Sequence, residues 1–176
     1  MDNTKNIIHS LGKIPVLYGL DADELKVVLS ICKPETYNKD MTLFHQGSPS
    51  HDMYILLSGQ IEIVTEQQGC ICTLGSCDLF GEIGLITQQT RSASAVTLTE
   101  CKLLKINHVQ FNLLTGTHPR ISAILMKNIS TNLASHVLRM NNALALEHIP
   151  QEKHDTLSEH ESLILFSQSS DDESSH

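Results

Sequence analysis

Between Tyr37 and Ile106 the chain is cut into short apolar runs by glycines at positions 47, 59, 69, 75 and 81. Gln60-Ile61-Glu62-Ile63-Val64-Thr65 and Ala93-Ser94-Ala95-Val96-Thr97-Leu98 alternate with period two, so each can turn one face to a core and the other to water. Turn signals recur about every 8–12 residues, the plainest being Gly47-Ser48-Pro49-Ser50 and Glu66-Gln67-Gln68-Gly69. This spacing predicts an all-β roll or barrel across the middle of the chain.

Helical patterns flank that region. Asp21 with Glu24 three residues on has capping-box spacing, and Leu20 with Leu25 has hydrophobic-staple spacing. The helix they start carries Leu25, Val28, Leu29 and Cys32 on one face and is expected to stop at Pro34. Past Ile106, Asn107 can cap a helix through Phe111 and Leu114, and Pro119 suits the first turn of a longer helix reaching about His148. Ile121, Ile124, Leu125, Ile129, Leu133, Val137, Met140 and Leu144 recur on it at spacings of three and four. The first half of that stripe can pack on the roll or pair with a second copy. The second half better suits a short coiled coil, and so a homodimer.

The fold class is therefore α+β, mainly β: a β-roll with N-terminal helices and a long C-terminal helix, about 119–148. Residues 1–148 form one domain, as the length of 176 residues allows. Residues 149–176 read as an acidic, Ser-rich tail, largely disordered. Its apolar tetrad Leu163-Ile164-Leu165-Phe166 can dock on a partner or fold back on its own domain.

Charge narrows the partners. The formal net charge is -8, but residues 151–176 contribute -6 of it, leaving a nearly neutral body. Nothing there attracts DNA or an anionic membrane. No apolar stretch has signal-peptide or membrane-spanning length, so the chain reads as cytoplasmic. The five cysteines are an odd set, expected reduced and mostly buried. Cys70 and Cys72 are expected on one strand face with Cys77 following, but structural zinc wants four ligands. The histidines form no metal-binding motif, and no catalytic spacing stands out, so neither a metal site nor an enzyme is expected.

The informative chemistry lies between Phe80 and Val96. Gly81 and Gly84 let backbone come close to a ligand, and a helical turn starting there presents free N–H groups to an anion. Arg91 adds a permanent charge in a fork that matches phosphate oxygens. Glu82 can accept from hydroxyls, and the small residues Ser92 and Ala93 leave room for a base. An anion with an adjacent hydroxyl fits this set.

Phe80-Gly81-Glu82-Ile83-Gly84-Leu85 followed by Arg91-Ser92-Ala93 resembles the phosphate-binding cassette of the cyclic-nucleotide-binding domain family. That family includes the bacterial catabolite activator, regulatory subunits of cyclic-AMP-dependent kinase, and gated ion channels. Thr42–Gly47, Asp52–Gly59 and Leu74–Leu79 resemble the family's strands and turns in the same order. Asp40 stands where the family commonly has Gly, and Thr90 replaces a frequent Pro.

The resemblance implies a role for each matching residue. Arg91 pairs with the cyclic phosphate, and Glu82 accepts from the ribose 2′-hydroxyl. Gly81, Ile83, Ser92 and Ala93 line the phosphate and sugar. Ile63, Ile71 and Cys72 wall the base, and His136 on the long helix closes over it. The ligand is cyclic AMP by preference, with cyclic GMP left open by Ser92. A winged helix needs more than the 26 residues after Pro150, so the output is expected through protein contact rather than DNA. Arg91→Ala is then expected to abolish binding and to leave the melting of the empty protein nearly unchanged.

Overall fold

Asp21 and Glu24 close a complete capping box in the computed structural model, which describes residues 11–147, with side chains as far as Arg139. The Asp21 carboxylate accepts from the amides of Asp23 (3.0 Å) and Glu24 (2.9 Å), and Glu24 accepts from the Asp21 amide at 2.9 Å. A cap of this kind stabilises a helix by about 1 kcal/mol. The helix it opens, α1 (Ala22–Ser30), buries Leu25 and Val28.

It ends at Ser30, four residues before Pro34. Cys32 already belongs to the first strand, β1 (Cys32–Tyr37), and Pro34 lies inside it. Proline is tolerated because β1 is an edge strand, where a missing N–H breaks no ladder. The β region therefore begins at Cys32 rather than Tyr37.

Seven more strands follow: β2 (Thr42–Phe44), β3 (Asp52–Ser58), β4 (Ile61–Thr65), β5 (Gly69–Leu74), β6 (Leu79–Phe80), β7 (Ser94–Thr97) and β8 (Cys101–Asn107). They form two four-stranded antiparallel sheets, ordered β1-β8-β3-β6 and β2-β7-β4-β5. A short helix, α2 (Glu82–Thr87), interrupts the strands. Two longer ones, α3 (His108–Thr117) and α4 (Pro119–Glu147), follow β8. The Asn107 side chain accepts from the Val109 amide at 2.9 Å, capping α3 as its sequence predicts.

Strand β3 explains why Met53-Tyr54-Ile55-Leu56 shows no alternation. All four residues are buried, on alternating faces. Tyr54 and Leu56 face the roll interior with Ile61, Phe80 and Leu103. Met53 and Ile55 face the opposite layer with Leu25, Phe111, Ile121, Leu125 and Ile129 of the helices. The early part of the α4 stripe is thus spent on the chain's own core.

The chain divides into two compact units, residues 1–137 and 138–176. Of the second, only helical residues 138–147 are described. The side chains of Met140 and Leu144, the domain boundary expected at 148, and the acidic tail with its apolar tetrad lie outside the described residues.

Candidate functional site

Gly81 turns the chain from β6 into α2 with φ 77°, a left-handed conformation that penalises any side chain. A Cβ there would also come within 2.6 Å of Arg91 Nη1 and 3.2 Å of the Asp52 carbonyl oxygen. The backbone of Arg91 is fixed in turn. Its amide donates to Ser48 O at 2.9 Å, and its carbonyl accepts from Gly47 N at 2.8 Å. Gln46 N donates to Ser94 Oγ nearby, at 2.8 Å.

The Arg91 side chain is 5% exposed. Nη1 donates to the Gly81 carbonyl at 3.0 Å, and Nη2 to the Asp52 carbonyl at 2.6 Å. Its guanidinium lies over the Phe44 ring, 4.0 Å from the centroid. Phe44, Tyr54 and Phe80 form a connected aromatic group, with Tyr54 and Phe80 stacked at 5.2 Å. Burial draws the guanidinium below its ordinary pKa, while Tyr54, Asp52 and Glu82 pull it back up. Nε is buried without a hydrogen-bond partner, as suits a donor waiting for an anion.

Glu82 is 3% exposed. Burial raises its carboxyl pKa against two opposing effects, its own backbone hydrogen bond and the charge of Arg91. Among the described residues no ion pair joins Glu82 to Arg91, although each charge is felt by the other. Arg91 meets Gly81 through the Gly81 carbonyl, and Glu82, Arg91 and Ala93 are all buried. Ile83, at 44%, and Ser92 are exposed.

The second sheet holds the residues expected at a base. Ile63 pairs with Cys72 and Val64 with Cys70, so β5 carries one extra residue, Ile71. This is a β-bulge, and it resets the alternation of faces. Cys72 lies on the Ile63 face, with the buried pair Ile61 and Leu74. Cys70 lies on the opposite face, with Val64 and Glu62, and the hydrogen bond its thiol donates to the Glu62 carboxylate raises its pKa. Cys70 and Cys72 therefore do not share a face, contrary to simple alternation. Nor are the thiols mostly buried: Cys70, Cys72 and Cys77 are exposed, Cys32 is half-buried, and only Cys101 is buried. None of the five is in a disulfide. Among the described residues no group of three or more His, Cys, Asp or Glu could hold a metal ion.

His136 is half-buried on α4. One turn earlier, Asn132 Nδ2 donates to the Leu79 carbonyl at 3.4 Å, directly before Phe80 and Gly81. The helix thus passes the start of the cassette.

Asp52, Phe44 and Tyr54 were not singled out in the sequence, although each lies in a segment with motif character. Their convergence on Arg91 depends on strand register, with Tyr54 opposite Phe80, and no local pattern encodes that. Asp40, which stands where the family commonly has Gly, adopts a left-handed backbone at φ 62°.

Two cavities lie beside the cassette. One, of about 530 Å³, is lined by Lys33, His51, Asp52, Lys105, Asn107 and His108, among others. The other, of about 310 Å³, lies between Ser50, His51, Gly84 and Gln88–Thr90. Neither is lined by Arg91 or Glu82.

Residues 34–118 match the family model of the cyclic nucleotide-binding domain. The chain carries a domain of this family. The chain is 24% identical over 139 residues to a CRP-like cAMP-activated global transcriptional regulator of Mycobacterium tuberculosis, covering 77% of this chain and 60% of that protein. It is 28% identical over 106 residues to the cAMP-dependent protein kinase regulatory subunit of Schizosaccharomyces pombe, covering 60% of this chain and 26% of the relative. It is also 30% identical over 131 residues to glutaminase 1 of Bradyrhizobium diazoefficiens, covering 74% of this chain and 21% of the relative. The chain thus spans less than two thirds of the length of each. A cyclic nucleotide-binding domain of Methylobacillus flagellatus shares the fold, with TM-score 0.72, 17% identity, and coverage of 90% of this chain and 86% of that one. No helix among the described residues is long and apolar enough to cross a membrane.

Proposed function

We propose that this chain is a cyclic-nucleotide sensor that prefers cyclic AMP and passes the signal on by protein contact, without catalysing a reaction. The observation that carries the reading is Arg91: a buried guanidinium with an unpartnered Nε, set between a left-handed glycine and a buried carboxylate. Arg91 receives the cyclic phosphate, using Nε–H and the forked face of the guanidinium. Glu82 accepts from the ribose 2′-hydroxyl. Gly81, Ile83, Ser92 and Ala93 border the phosphate and sugar. Ile63, Ile71 and Cys72 form the wall of the base, and His136 closes over it from α4.

Cyclic AMP is favoured because two relatives are named for it. Protein output is favoured by the nearly neutral body and by Val137 and Leu138, which are 55% and 62% exposed on α4. Those residues suit a second copy of the chain or another partner. The sensing unit is residues 1–148, and five cysteines outside any disulfide suit the cytoplasm.

Isothermal titration with cyclic AMP and cyclic GMP tests the reading. Heat is expected with both and tighter binding with cyclic AMP; silence with both at millimolar concentration sinks it. Saturating nucleotide should also slow alkylation of Cys72 by iodoacetamide. Cys70, on the other face of the bulge, and Cys77 should keep their rates, as followed by mass spectrometry of each peptide.

A second reading is a domain that keeps the fold and binds nothing. It draws on Arg91 already donating to the Gly81 and Asp52 carbonyls. The same titration separates the two.

A further inference from the structure

Gly84 has no room for a side chain. A Cβ built on it would overlap both Oγ and Cβ of Ser50 and come within 3.2 Å of the Gln89 carbonyl oxygen. A new rotamer at Ser50 would move only Oγ, because Cβ is fixed to the backbone. Ser50 is 8% exposed, and its buried hydroxyl has no hydrogen-bond partner. Its side chain therefore acts there by its bulk.

The segment around Ser50 touches both ends of the cassette. At one end Ser50 abuts Gly84 within α2. At the other, the Asp52 carbonyl accepts from Arg91 Nη2 at 2.6 Å, and Gly47 and Ser48 pair with the Arg91 backbone. Between them the His51 carbonyl accepts from His108 N at 2.8 Å, which ties the segment to the junction of β8 and α3.

We propose that Ser50 is a positioning residue for nucleotide binding: its Cβ seats against the bare Cα of Gly84 and sets where α2 lies relative to Arg91. This rests on the reading of the site as a cyclic-nucleotide seat. Gly84 is glycine because Ser50 fills its side-chain space, and the pair is a spacer between the helix that carries Glu82 and the arginine.

The test is a set of cyclic AMP titrations and melting curves on the full chain. Gly84→Ala forces α2 away from its seat and should weaken binding by about tenfold or more. Ser50→Gly empties the space, so Gly84→Ala with Ser50→Gly should return to within about threefold of wild type. Ser50→Ala keeps the obstructing Cβ, so it should not rescue Gly84→Ala. If Gly84→Ala fails to fold, the two double variants decide: the Ser50→Gly pair should fold and bind, and the Ser50→Ala pair should not. The proposal is overturned if Gly84→Ala binds as wild type does, or if Ser50→Gly rescues no better than Ser50→Ala. A wild type that binds no cyclic nucleotide instead overturns the reading of the site itself, which the first titration of the series reveals.

Discussion

Arg91→Ala is expected to lower affinity for cyclic AMP by at least about a hundredfold, the equivalent of losing two charge-assisted hydrogen bonds to a phosphate. The substitution should also destabilise the empty protein. It removes the donors to Gly81 O and Asp52 O and leaves a void on the Phe44 ring. Carbonyls left short of a donor cost about 1–3 kcal/mol, or a fall in melting temperature of about 3–8 °C. Arg91→Lys separates charge from geometry. A lysine keeps the positive charge but not the fork, so it should recover part of the affinity and little of the contact with both carbonyls. Titration calorimetry and thermal melting of the three proteins check this. Binding by Arg91→Ala within tenfold of wild type would mean that the guanidinium is not the phosphate seat.

The stability cost marks where sequence reasoning stopped. Read as a motif, Arg91 is a ligand contact whose removal leaves the empty fold intact. In the fold it is also an internal strut, and this follows from the positions of Asp52 and Phe44. Those residues stand 39 and 47 positions away along the chain and reach Arg91 only through the pairing of β2 with β7 and β3 with β6. Features fixed by neighbours were legible. The Asp21 capping box, the Asn107 cap and the opening of α4 at Pro119 each depend on a few adjacent residues. The β-roll was legible too, because turn spacing and alternation are local.

Pro34 was misread for a related reason. As a helix stop it is a local signal, but its place in β1 is allowed by the sheet order, which leaves that strand at an edge. The bulge at Ile71 was illegible as well. A sequence of alternating residues carries no mark of the single extra residue that sends Cys70 and Cys72 to opposite faces. The Ser50–Gly84 contact belongs to the same class. Gly84 invites a reading as a flexible or ligand-facing glycine, whereas the space it leaves is already filled from β3's approach loop.

Glu82→Gln should move stability and binding in opposite directions. Burial raises the Glu82 pKa above the ordinary glutamate value. In the window between that ordinary value and the raised one, the folded chain holds a proton that the unfolded chain has released. Stability contributed by Glu82 is therefore greatest at acid pH and declines as pH rises through the window. Above it, the fold carries a buried carboxylate at a cost that glutamine does not incur. Above the raised pKa, Glu82→Gln should raise the melting temperature of the empty protein and flatten its pH dependence through that window. Binding should suffer, because the ionised carboxylate is the stronger acceptor for a ribose hydroxyl. Replacing it with a neutral amide should cost about tenfold to a hundredfold in affinity for cyclic AMP. Wild-type affinity should also weaken as pH falls through the raised Glu82 pKa, and that decline should vanish in Glu82→Gln. A buried acid retained at a cost to the empty fold is the pattern expected of a group selected for its ligand. Parallel melts and titrations across pH give the answer: a variant that loses stability above the raised pKa, or keeps full affinity, shows that Glu82 serves the fold and not the nucleotide.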